Sequence, residues 1–562
     1  MDRITRVHAQ LSAATTDAST RDVFVSPIPT DCPQSIYDTV LSPSAIAFVA
    51  DLAAAFHHEV QQLHTRRGAR RLATERHGAM PHFLEETRLI RQDETWQIDA
   101  QVEELLDRRV DIGDVSPADG DLLLQALNSG AQGVQVDFDD GHCPTWYNTI
   151  QGHFNVMQAA RGVLDVSGKT TVENAALLVV RPRAWNMDES HMIVNGHVVP
   201  GALFDFGVHL FQNGKHLYKK GTGPFLYLSK LEGYTEAALW RKIFEYTETK
   251  LELAHGSIKA TVLIENIFAA FEMDEILFEL RHHSSGLNCG MWDYTASIVT
   301  NFRHRPEFVL PDRQQYVSMK SDFLRHYMDL LIHTCKRRHA PATTGMVPFV
   351  LAELPCSLSR HEAIGKAIAA KRIEALAGSD GALVFDPALV QPVAEVFSAA
   401  RTDTNTNSAA LDEALLSEKL LTLPRGSVTL HSVEVNVRVA LLFVLHWLCG
   451  RGTVVIDGCV EDSATAEISR AQLWQWVYHR VPISGTSRQV NPFLIEEMLQ
   501  NVLREEHRKQ HPPHCILAAQ QLVFLLSTMR FPPAFITTFL QEQIACTKNR
   551  KQWPLLCNRK RN

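Results

Sequence analysis

The sequence predicts an α/β fold, a parallel sheet with helical segments before and after it. Three observations carry that reading. From about residue 120, short apolar runs each end in polar or charged residues. Stretches with helical spacing lie between these runs, and alternating strands and helices imply a parallel sheet. Apolar residues at helical spacing also dominate the first 110 residues and the part beyond a polar stretch at 401–408. At 562 residues and 45% hydrophobic, the chain can form one large decorated domain or several smaller ones. Its 55 basic and 63 acidic residues leave a formal net charge of -8, which argues against nucleic acid or an anionic membrane surface as the main partner. An anionic ligand must then be met by local positive charge.

The elements follow in chain order. Ser44 to Leu63 reads as a helix, and the basic run Arg66-Arg67-Gly68-Ala69-Arg70-Arg71 after it is expected to be a solvated helix face. Gly133 to Val136 runs into Asp137-Phe138-Asp139-Asp140, Ala175 to Val180 into Arg181-Pro182-Arg183, and Ile258 to Ile264 into Glu265. Each is expected to be a strand buried on both faces, with Thr235 to Leu253 a helix between two of them. In Glu272 to Arg281, Met273, Ile276, Leu277 and Leu280 share one face, so Glu272, Asp274, Glu275 and Arg281 should occupy the rest. The polar stretch Arg401 to Ser408 reads as a linker. Helices are expected beyond it over Leu411 to Leu421, Val435 to Cys449, Thr465 to Val477 and Ile516 to Met529. The apolar run Val439 to Cys449 is about half of a membrane crossing, and it reads as a core helix. Ten cysteines without a CxxC, and no apolar signal-peptide core, suggest reduced thiols in an intracellular protein.

In a parallel barrel, functional groups sit where strands end and βα loops begin. That rule selects Asp137, Asp139, Asp140, Arg181, Arg183 and Glu265, and Asp293 joins them in the glycine-bounded segment Gly286 to Tyr294. Carboxylates from two strand ends make a hard oxygen site of the kind Mg²⁺ prefers, and an arginine from another can steady a carboxylate or enolate. Any one such acid, taken alone, is more often a helix cap or an ion-pair member. His282-His283 are adjacent, pointing about 100° apart on a helix, so they cannot chelate as a pair and are expected at the surface. There is no HExxH, P-loop or GxGxxG.

These residues lie in recognisable motifs. RPRAW at 181–185, PGALFDFG at 200–207, GTGPFLYL at 221–228, GSIKATVLIEN at 256–266, FEMDEIL at 271–277 and GLNCGMWDY at 286–294 resemble the malate synthase family in its shorter, A-type form. The similarity extends to DFDD at 137–140, CPTW at 143–146, LPDR at 310–313 and EDSATAEISRAQLWQW at 461–476, and so covers most of the chain.

The resemblance implies a TIM (β/α)8 barrel with an N-terminal helical clasp (1–115), the barrel itself (116–400) and a C-terminal helical plug (401–562). It implies a glyoxylate-cycle enzyme that condenses acetyl-CoA with glyoxylate and hydrolyses malyl-CoA to malate and CoA. By the same resemblance Glu265 and Asp293 match the Mg²⁺ ligands, with glyoxylate oxygens and waters completing the sphere. Asp462 matches the base that takes a methyl proton from acetyl-CoA, and Arg181 the arginine that stabilises the enolate and touches glyoxylate. Backbone amides near Trp292 and Asp293 are expected on the glyoxylate carboxylate. A monomer or homo-oligomer is implied.

Several neighbours of the site depart from the family pattern: Asn186 for His, Asn266 for Thr, Met291 for Arg, and Asp139 for Glu. These changes keep open an enzyme using a different 2-oxo acid or aldehyde acceptor, or a catalytically weak binding protein. Finally, Arg3-Ile4 and Gln10-Leu11 fit the loose N-terminal peroxisomal targeting nonapeptide, which would bring an import receptor as partner and a peroxisomal (glyoxysomal) location. An ordinary polar helix in a cytoplasmic protein fits the same pattern.

Overall fold

The computed structural model describes residues 21–172, 174–400, 412–506 and 511–547. The targeting nonapeptide, the polar stretch 401–408 and the basic tail from residue 548 lie outside the described residues.

Eight parallel strands close into a barrel: β1 (Val110–Val115), β2 (Gly133–Asp137), β3 (Leu177–Arg181), β4 (Phe225–Leu228), β5 (Lys259–Ile264), β6 (Ser284–Cys289), β7 (Ala342–Val347) and β8 (Gly381–Val384). Each pairs with its sequence neighbours, and β8 returns to β1. The apolar runs read as strands are β2, β3 and β5, and nearly every residue in them is buried. The barrel begins at β1, inside the segment read as clasp. That strand carries Asp111 in the interior, where Tyr227 Oη donates to its Oδ2 at 2.6 Å and Arg108 Nη2 at 3.2 Å. Acids satisfied inside a barrel interrupt the apolar run that marks a strand.

The long helix α1 (Pro43–His77) starts at Ser42, whose side chain accepts from the Ala45 N–H, and ends at Gly78 in the left-handed region. It continues through the basic run, which is a solvated face only in part: Arg66 is exposed, whereas Arg70 and Arg71 are half-buried. Arg67 is buried, donating through Nε to Glu236 Oε1 at 2.8 Å and through Nη2 to the Lys230 carbonyl at 2.8 Å. Arg70 Nη1 donates to the Glu232 carbonyl at 2.6 Å. One face of α1 therefore grips the loop between β4 and α2 (Tyr234–Leu251).

The helix α3 (Met273–Glu279) buries the expected apolar face, but Asp274 and Glu275 are buried as well. Glu275 accepts from Thr87 Oγ1 and Arg91 Nη1, both at 2.6 Å, and Asp274 from Arg337 and Arg338 at 2.7 and 2.8 Å. The clasp, through Thr87 and Arg91, thus covers part of the charged side. His283 is likewise fully buried, with Nε2 at 3.2 Å from Glu248, and only His282 is partly exposed, against Asp99.

The C-terminal part is built on α5 (Leu430–Leu448) and α6 (Ser463–Tyr478), which pack together. Two helices outside the sequence reading, Pro492–Glu506 and Ile536–Thr547, complete it. Between α5 and α6 the hairpin Val454–Ile456/Cys459–Glu461 docks on the loop after β7, the Val460 N–H donating to the Pro348 carbonyl and the Val350 N–H to Gly458, both at 2.8 Å. From α6, Gln472, Gln475 and Trp476 donate to the carbonyls of Pro311, Phe308 and Leu310 at 2.7–2.8 Å. These bonds fix the start of α6 over the barrel. Among the described residues no single helix is long and apolar enough to cross a membrane.

Candidate active site

The C-terminal ends of β2, β3 and β5 converge on one buried cluster. Asp137, the last residue of β2, accepts the N–H groups of Asp139 and Gly141 at 2.8 Å each and so folds the loop that presents Asp139 and Asp140. Arg181 ends β3 and reaches four carboxylates. It lies 3.4 Å from Asp137 Oδ2, 3.2 Å from Asp139 Oδ2, 3.2 Å from Glu265 Oε1, and in close contact with Asp140. Its Nε is buried with no hydrogen-bond partner.

Glu265 follows β5, and its Oε2 accepts the Lys230 N–H at 2.8 Å. Asp293 lies in the first turn of α4 (Met291–Asn301). A β-carbon at Gly290 would come within 2.4 Å of Glu265 Cγ, so only glycine lets α4 begin this close to that side chain. Oxygens of Asp140, Glu265 and Asp293 lie within 4.8 Å of one another. The loop after β4 adds Lys230, which lies at φ 54° and whose Nζ donates to Asp139 at 2.7 Å and Asp140 at 2.6 Å. Lys230 Nζ is also 3.7 Å from Asp293 Oδ2.

The plug meets this cluster directly. Asp462 caps α6, its Oδ1 accepting the Thr465 N–H at 2.9 Å, and the next residue, Ser463, hydrogen-bonds through Oγ to Asp140. Asp462 is 9% exposed, so the plug closes the mouth over it almost completely.

Negative charge is in excess. Asp114, Asp137, Asp139, Asp140, Glu265, Asp293 and Asp462 are all buried, with Arg181 and Lys230 as the buried cations among them. Burial works against ionisation of Asp140, yet Arg181 and Lys230 hold it below the usual carboxylate range. For Asp293, burial dominates and, with Asp140 and Glu265 close by, places its carboxyl well above that range. Burial also raises Glu265, against Arg181 and Lys230, and pushes Asp137 up to about 7. Such a set of hard, closely spaced oxygens fits a divalent cation.

Not every expected residue comes here. Arg183 turns away, pairing with Asp205 at 2.7 Å and Glu189 at 2.9 Å. Asn186 is engaged by the helix Ile536–Thr547, donating to Thr537 and Thr538 at 3.2 and 3.1 Å, while Asn266 accepts the Phe268 N–H at 2.9 Å. Trp292 lies beneath Arg313, whose guanidinium carbon is 5.0 Å from the ring centre. Lys230 and Asp114 were not anticipated. Lys230 obeys the same strand-end rule that selected Glu265, whereas Asp114 was hidden with β1 in the segment read as helical.

A closed (β/α)8 barrel with an oxygen-rich cluster at its C-terminal mouth, capped by a helical domain that contributes an acid, defines a barrel enzyme built for a divalent cation and an anionic substrate. Comparison with known proteins makes this specific. Residues 177–423 match the family model for the malate synthase TIM barrel domain, and residues 427–522 that for the malate synthase C-terminal domain. Malate synthase of Myxococcus xanthus is 40% identical over 450 residues, covering 79% of this chain and 82% of that protein. Malate synthase of Streptomyces clavuligerus is 39% identical, covering 82% and 87%. The glyoxysomal malate synthase of Candida tropicalis is 36% identical, covering 84% and 86%. The chain belongs to the malate synthase family.

Proposed function

We propose that this chain condenses acetyl-CoA with glyoxylate and hydrolyses the resulting malyl-CoA to malate and CoA. The observation that carries the proposal is the delivery of Asp462 by the plug to the cluster that holds Arg181, Glu265 and Asp293. Glu265 and Asp293 would hold Mg²⁺, which when bound supplies Lewis-acid polarisation of the aldehyde carbonyl and charge stabilisation as the new bond forms.

The chain's own residues do the rest. Asp462 takes a proton from the thioester methyl. That methyl is a very weak acid, so the transfer needs the enolate oxygen stabilised as charge develops. Arg181 provides this: it is held in place by four carboxylates and keeps one buried N–H, at Nε, without a protein partner. The N–H groups opening α4, at Trp292 and Asp293, would receive the glyoxylate carboxylate, where the helix dipole favours an anion. Lys230 neutralises Asp139 and Asp140 beside the reacting groups. The plug excludes water, which strengthens each of these interactions.

Free CoA released from acetyl-CoA, followed with a thiol reagent, tests the proposal. Release is expected to require both glyoxylate and Mg²⁺. No glyoxylate-dependent release at saturating substrate would overturn the proposal. Release with pyruvate instead would move it to a different acceptor, the reading that the departures at Met291 and Asn266 keep open.

For location, the proposal is peroxisomal, supported by the Arg3-Ile4…Gln10-Leu11 pattern and by a relative named glyoxysomal. Deleting residues 1–11 from a fluorescent fusion is expected to abolish peroxisomal accumulation, and an unchanged distribution would refute it.

A further inference from the structure

Asp114 is a buried acid that the mechanism above does not use. It sits near the C-terminal end of β1, at φ 53°, in the left-handed region that aspartate enters more readily than most side chains. The β1–β2 pairing shifts register between Ile112 and Val115, which takes Asp114 out of the ladder. Its N–H donates instead to Gln135 Oε1 at 3.2 Å, and its carbonyl packs so closely on Gly141 that a β-carbon there would approach to 2.6 Å. The backbone is thus fixed on both sides. The side chain is 6% exposed, and no neighbouring donor reaches its Oδ2. Asp462, arriving from the plug, is the charged neighbour that bears most strongly on it, with its carboxyl group within hydrogen-bonding reach.

Two buried carboxyl groups in contact cannot both be ionised; one must hold the proton. The groups facing Asp114 are Asp462, Asp137, Asp140 and Arg181. Arg181 is committed to four other carboxylates, so Asp114 has no cation of its own. Asp462, by contrast, accepts the Thr465 N–H, which favours its charged form. Burial and the nearby Asp462 place the Asp114 carboxyl well above the usual carboxylate range. The proton therefore belongs on Asp114.

We propose that Asp114 is a positioning residue for the base: as a carboxylic acid it donates a hydrogen bond to Asp462, holding that side chain ionised and tying β1 to the plug. This rests on Asp462 being the base. During turnover the methyl proton adds to Asp462, leaving the pair with two protons. One then passes to water, and the resting pair with a single proton is restored.

The test is the pH dependence of kcat for glyoxylate-dependent CoA release at saturating Mg²⁺, using the full chain. Glycine tolerates φ 53°, so Asp114→Gly removes the donor without straining the turn. Loss of a hydrogen bond to a charged group is expected to lower kcat about tenfold or more at neutral pH. Asp462 then becomes harder to ionise, so the acid limb of the profile moves up by about one pH unit. The KM for glyoxylate stays unchanged. Asp114→Asn, which keeps a donor of the same shape, recovers most of the rate and returns the limb. Should the glycine variant not fold, Asp114→Ala serves the same comparison. An acid limb that does not move in the donor-less variants, or an Asn variant as impaired as Gly, overturns the proposal. Asp462→Asn run alongside separates the two claims. If that variant stays active, the base assignment fails; if it is inactive while the Asp114→Gly limb is unmoved, only the role of Asp114 fails.

Discussion

Lys230 shows how much of this site depends on single residues. Its N–H holds Glu265, its ammonium group neutralises Asp139 and Asp140, and its carbonyl is held from outside by Arg67. Removing the ammonium leaves two buried carboxylates short of a cation, a loss that costs about 3–5 kcal/mol when a buried pair is broken from one side. Lys230→Met is accordingly expected to lower the thermal midpoint measured without metal. Added Mg²⁺ should restore part of the loss, because a ligand that binds only the folded state stabilises it by mass action. A midpoint equal to wild type in the absence of metal would contradict this. Strand-end position alone suffices to find Glu265 in the sequence, and it would have found Lys230 two residues beyond β4. It misleads for Arg183, because the two arginines on either side of Pro182 at the end of β3 serve different buried acids.

At the scale of elements, α1 does more than pack. Its helical spacing is legible, and its start at Ser42 and stop at Gly78 follow ordinary capping rules. The burial of Arg67 is not legible, because its partner Glu236 is 169 residues away in sequence. Arg67→Met should therefore behave unlike a surface substitution. It breaks a buried ion pair and releases the Lys230 carbonyl, with an expected cost of about 3–5 kcal/mol in urea unfolding. A change under about 0.5 kcal/mol, typical of an exposed site, would show that the clasp does not brace the loop after β4. The same logic explains α3, whose acids look solvent-facing by periodicity yet meet Thr87, Arg91, Arg337 and Arg338.

Across the whole molecule, the barrel is legible where strands are mainly apolar, as in β2, β3 and β5, and illegible elsewhere for physical reasons. β6 reads Ser-Ser-Gly-Leu-Asn-Cys, small and polar residues whose hydrogen bonds are met inside, such as Asn288 Nδ2 to Thr343 Oγ1 at 2.9 Å. β1 carries two acids, Asp111 and Asp114, and so reads as neither strand nor core. The division of labour between barrel and plug was accessible through the motifs of the malate synthase family, because the acid at 462 lies far in sequence from the cluster that it meets. Only the fold shows that Ser463, the neighbour of that acid, hydrogen-bonds to Asp140 of the barrel and so joins the two parts.

The central claim is that the plug supplies the base to a cation site in the barrel. Burial, reinforced by Asp140, raises Asp462 above the ordinary range, so turnover should fall as pH drops through that raised value and the base takes up a proton. The most direct measurement is kcat for glyoxylate-dependent CoA release by Asp462→Asn at saturating Mg²⁺, with Mg²⁺ affinity measured on the same sample. The expected result is a loss of about 10²–10⁴-fold with Mg²⁺ affinity retained. A near-normal rate would show that another group takes the methyl proton.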